Sequence, residues 1–127
     1  MKHPIVCLCG STRFWETFRD EGLRLTLEGK IVLSIGICTP DSQVLANPRT
    51  EEGKNQKRKL DILHLYKIKM ADEVFILNVG GYIGKSTRRE ILFALFLGKT
   101  IGSVEPIDWN DVVNYRTYMA KDKGEEK

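Results

Sequence analysis

The sequence predicts an α/β fold: an open, mostly parallel sheet of four to five strands with helices on both faces. Two observations predict it. Short apolar runs recur at 4–9, 31–37, 72–79 and from Thr100 onward. Helix-length segments with apolar residues near 3.6 spacing separate them. Strand–helix alternation of this kind joins parallel strands through helical crossovers. The 127 residues, 42% of them hydrophobic, suit a single domain over 1–120. The charged "KDKGEEK" at 121–127 reads as a disordered tail.

Each element has its own warrant. "PIVCLC" (4–9) is a continuous apolar run ended by Gly10, as expected of a strand buried on both faces. Within it Cys7 and Cys9 alternate with Leu8. Residues 14–30 read as a helix through Phe14, Phe18, Leu25 and Leu27, with Gly22 weakening it. "IVLSIGI" (31–37) is the second strand. Residues 38–56 hold two prolines and many polar residues, so a long lid or binding loop is expected. Residues 57–71 read as a helix with a buried stripe of Leu60, Leu63, Tyr66 or Lys67, and Met70. "DEVFILNV" (72–79) is the third strand. "STRREILFALFLGK" (86–99) is a helix apolar on nearly every face, stopped at Gly98. "TIGSVEP" is the fourth strand, and Trp109, Tyr115 and Tyr118 suggest a docking helix. The arrangement is Rossmann-like or flavodoxin-like, and such sheets bind ligands beyond the carboxyl ends of their strands.

Composition narrows the function. Charged residues are 29% and the net charge is +3, which does not suggest a surface for polymeric nucleic acid. Lys54, Lys57, Arg58 and Lys59 read as a solvated helix face. No apolar run reaches the ~18 residues of a membrane span, and the N-terminus lacks a signal-peptide pattern. Three cysteines, Cys7, Cys9 and Cys38, point to a reducing, cytoplasmic setting. A metal at Cys7 and Cys9 would need further ligands, and His3 and His64 are the two histidines; neither a metal nor a cofactor is expected.

Two loops leave the carboxyl ends of strands with suggestive chemistry. "GGYIGKST" (80–87) resembles a P-loop one residue short. A P-loop wraps phosphate with backbone N–H groups, so its length matters. Gly84-Lys85-Ser86 would need its partner glycine at Val79. A working nucleotide phosphotransferase is therefore the weakest of the readings. The glycines Gly80, Gly81 and Gly84 suit a tight turn or close ligand approach. Ser86 and Thr87 would open a helix whose N–H groups favour an anion. Glu90 has two readings: a site carboxylate, or the partner of Thr87 in a Thr-x-x-Glu capping box. Arg88 and Arg89 read as surface charges. In "CGSTRF", Gly10 ends a strand, Ser11 and Thr12 can cap a helix, and the planar fork of Arg13 suits phosphate. Together the loops suggest a small phosphorylated or ribosyl ligand.

With "CGSTR", "LHLYKIKMADEVFIL" and "GKSTRREILFALFLGKTI" in this order, residues 4–104 resemble the nucleoside 2-deoxyribosyltransferase-like superfamily. The nearest flavour is its deoxynucleoside 5′-monophosphate N-glycosidase branch. The resemblance implies Glu90 as the nucleophile that attacks the anomeric carbon and expels the nucleobase. It implies that Gly10, Ser11, Thr12 and Arg13 hold a 5′-phosphate, with Gly81, Gly84, Ser86 and Thr87 assisting. It also implies a homodimer. The chain departs from the family at three places. His64 stands where the family carries an Asp, and reads either as a general acid or hydrogen-bond donor or as a partly buried helix residue. Cys7 stands where the branch often has Tyr, and Gly84 where the transferase branch has an acidic residue. These departures favour hydrolysis over transfer. They also leave a second reading open, a non-catalytic module that binds a nucleotide or an ADP-ribose-like ligand.

Overall fold

The computed structural model describes residues 2–36 and 46–114. Four strands form one sheet: β1 (Ile5–Cys9), β2 (Ile31–Leu33), β3 (Glu73–Ile76) and β4 (Thr100–Ser103). Three helices connect them: α1 (Trp15–Leu27), α2 (Glu51–Met70) and α3 (Lys85–Phe96). The strand order is β2-β1-β3-β4, and every pairing is parallel. The open α/β sheet expected from the sequence is thus present with four strands.

Alternation along β1 divides the interior in two. Val6 and Leu8 pack with Phe18 and Leu25 of α1 and with Leu77. Cys7 and Cys9 face the other way, among Ile68 of α2, Ile91 and Ala94 of α3, and Val112. The chain reverses direction across the sheet between β1 and β3. In open α/β sheets ligands bind beyond the carboxyl ends of the strands that flank such a switch point. The "AD" of the central motif works at the opposite end: Asp72 accepts a hydrogen bond from Ile5 N at 2.8 Å and donates its own N–H to Ile5 O at 2.8 Å. It sets the register in which Val6 faces Glu73.

Several boundaries differ from the sequence expectation. The second strand ends at Leu33, and Gly36 turns with φ 77°. Residues 51–56 are helical rather than loop. Thr50 caps α2 by accepting from Gly53 N at 3.0 Å, and Glu51 and Glu52 complement the helix dipole. Gly53 is obligatory there, because a Cβ would lie 1.9 Å from Asn47 O. The buried face of α2 carries His64 and Ile68, whereas Leu60, Leu63, Tyr66 and Met70 are exposed. The expected stripe therefore faces outward. Lys67 bonds Ser34 O instead of reaching solvent. Leu27 is 78% exposed, past the last core-facing turn of α1. A helix does begin at 109, and its Val112 is fully buried. Tyr115, Tyr118, the 121–127 tail and residues 37–45 lie outside the described residues.

Candidate functional site

The site forms where β1, α2 and α3 meet. Period 2 in β1 points the Cys7 and Cys9 side chains to one face. On α2, the core-facing turns hold His64 and Ile68. On α3, the sequence Thr87, Glu90, Ile91 and Ala94 keeps helical spacing, and all four are buried. Glu90 and His64 are thereby brought together, with His64 Nε2 4.0 Å from Glu90 Oε1. Both thiols join them: Cys7 Sγ lies 3.6 Å and Cys9 Sγ 3.5 Å from the same Nε2. Only 6% of the His64 side chain and 11% of the Glu90 side chain stay open to solvent.

These groups set one another's protonation. Burial pushes the Glu90 carboxyl up to about 7, against the opposing pull of His64. Burial alone would lower His64, but the Cys7 hydrogen bond and the charges of Glu90 and Cys7 outweigh it, so His64 is raised. A hydrogen bond from Cys9 pulls the Cys7 thiol down to about 6; burial opposes it and His64 assists. Cys9, which keeps its proton in that bond and is itself buried, is pushed up. At neutral pH the cluster therefore holds a carboxyl poised between its two states, beside an imidazole that keeps its proton to higher pH than usual.

The capping box is not formed. Gly84 occupies the N-cap of α3 in extended backbone, with φ −80° and ψ 177°, and Arg88 N bonds Gly84 O at 3.0 Å. The helix thus opens at Lys85 rather than at Ser86. Thr87 is its third residue and is buried. Glu90 is the sixth residue, in the second turn rather than the first. Its carboxyl is turned toward Cys9 and His64.

The two loops also meet. Ser11 accepts from Arg13 N at 3.3 Å and caps a short 3-10 turn, Thr12–Phe14, ahead of α1. Arg13 lies over the Tyr82 ring at 4.0 Å, and Phe14 meets the same ring edge-on at 6.0 Å. Tyr82 also covers Gly84, whose Cβ, if present, would lie 3.3 Å from the phenol oxygen. Gly10 needs its small size, since a Cβ would meet Leu77 at 3.0 Å. Gly80 and Gly81 both take positive φ. The loop closes on itself through Gly81 N to Asn78 O and Tyr82 N to Val79 O. Those N–H groups are spent inside the turn, unlike the phosphate-wrapping amides of a P-loop. Ser86 receives a hydrogen bond from Lys57 at 3.3 Å. Lys57, Arg58 and Arg89 line an open depression of about 400 Å³ beside it, so part of the basic cluster on α2 borders the site instead of facing bulk solvent alone.

Three participants are absent from the sequence-level site: Cys9, Tyr82 and Lys57. The alternation of Cys7 and Cys9 already put both on one face, but which helix they meet is a tertiary fact. Asn78, buried after β3, is structural: its amide donates to Glu105 O and accepts from Glu105 N, both at 2.9 Å. Compared with models of known protein families and with curated proteins, the chain matches none.

Proposed function

We propose that the protein hydrolyses the N-glycosidic bond of a nucleoside or its 5′-monophosphate, with Glu90 as the nucleophile. One observation carries this reading. A buried carboxyl with no capping duty lies 4.0 Å from an imidazole that packs on Cys7 and Cys9 of β1, a strand flanking the switch point of the sheet. In the first step a Glu90 oxygen bonds the anomeric carbon as the C–N bond breaks. The base nitrogen takes a proton from His64 Nε2. Water then attacks the same carbon, returns a proton to His64 and releases Glu90, the retaining route of a carboxylate nucleophile. Arg13, held over Tyr82 beside the glycine turn, is the phosphate-binding candidate.

The test is free-base release, by chromatography, from a panel of nucleosides and 5′-monophosphates, with Glu90→Gln alongside. Release that falls on the order of 10³-fold or more in a folded Glu90→Gln supports the reading. Normal turnover by that variant overturns it. No release from any substrate, together with a ligand-induced rise in melting temperature, favours the binding-module reading. Exposed Leu63, Tyr66 and Met70 on α2 and Phe96 at the end of α3 fit the homodimer that the resemblance implies. Sedimentation of wild type beside Phe96→Ser tests it: the dimer mass should fall to the monomer mass in the variant, and a wild-type monomer rejects it.

A further inference from the structure

We propose that Cys7, Cys9 and His64 supply three ligands of a tetrahedral site for a zinc-class divalent ion, with the fourth position left to a water. Their ligand atoms all lie within 4.8 Å of one another, and all three residues are buried. Zinc–sulfur and zinc–nitrogen bonds of about 2.3 and 2.0 Å at the tetrahedral angle set sulfur and nitrogen about 3.5 Å apart. The two sulfurs lie 3.6 and 3.5 Å from His64 Nε2. Glu90 Oε1 stands 4.0 Å from the same Nε2 but outside this set of three.

The metal-free alternative satisfies this geometry less well. Nε2 has a single hydrogen-bonding site, whether it donates or accepts, yet two sulfurs approach it equally closely. An ion at their centre engages all three at once. Two sulfurs and an imidazole select zinc or its cobalt surrogate over magnesium and calcium, which prefer oxygen ligands. The second histidine takes no part: His3 is bonded to Gly29 O at 2.9 Å. The site does not depend on the glycosidase reading. If that reading holds, a bound ion occupies His64, the proton donor, and inhibits base release.

The experiment is titration of the reduced, metal-stripped, full-length protein with cobalt(II), followed by absorption. The proposal expects one ion per chain, with thiolate-to-cobalt charge-transfer bands and the intense visible bands of tetrahedral cobalt, all bleached by zinc. Cys7→Ser, Cys9→Ser and His64→Gln should each weaken binding by more than about 100-fold, beyond the loss of an outer-shell partner. Cys38→Ser should bind like wild type. Absent thiolate bands in wild type, an octahedral spectrum, or binding lost in Cys38→Ser but kept in Cys7→Ser would overturn the site. The wild-type spectrum decides the matter even where a variant fails to fold.

Discussion

The two faces of β1 differ by one residue in register and by everything in chemistry. Val6 and Leu8 look into a hydrocarbon layer sealed by Phe18 and Leu25. Cys7 and Cys9, equally buried, look at an imidazole and a carboxyl. The first face holds α1 on the sheet through burial of apolar area, which is indifferent to pH. The second face gives up apolar area to polar groups that must satisfy one another. Both faces build the fold, and the second also holds ionisable chemistry out of water. The pleat lets a single five-residue strand serve both.

The largest expected effect sharpens this contrast. Phe18→Ala should cost about 3–5 kcal/mol in urea denaturation, while Cys9→Ala costs about 1 kcal/mol. Equal losses would break the division of labour. Next comes the pH dependence of stability. In the folded protein the Glu90 carboxyl is raised from 4.5 to about 7. The folded state therefore binds more protons than the unfolded chain between those values, and stability falls as pH rises through them. Glu90→Gln should remove that decline, a gain of about 3 kcal/mol above neutral pH; a decline unchanged in the variant would assign it elsewhere. A smaller effect concerns the loops. Arg13→Lys should raise KM for a 5′-monophosphate about tenfold and leave the unphosphorylated nucleoside unaffected. Equal changes for both substrates would remove Arg13 from the phosphate role.

The sheet was legible because strand runs and helix periods alternate cleanly in this chain. The stripe of α2 was not. Its inward face carries His64, and Lys67 reaches a backbone carbonyl, while Leu60, Leu63, Tyr66 and Met70 point out. A rule that places apolar residues inside selects the wrong side of such a helix. Glu90 was legible as a carboxylate with two possible duties. Choosing between them required the backbone of Gly84, which moves the start of α3 to Lys85 and takes Thr87 away from the cap. Cys7 and Cys9 were legible as strand residues on one face. Their meeting with His64, 57 and 55 positions away, follows from how α2 lies on β1, and no local spacing records that.

In the proposed reaction the buried Glu90 performs the chemistry. The most direct measurement is base release by wild type and Glu90→Gln across neutral pH. Glu90 must be ionised to attack. Wild-type kcat/KM on the released substrate should therefore rise through about pH 7, where its carboxyl titrates, and fall again at higher pH as His64 loses the proton it donates, and Glu90→Gln should stay near zero throughout. A Glu90→Gln enzyme that releases base at the wild-type rate, with the same pH profile, would contradict the account.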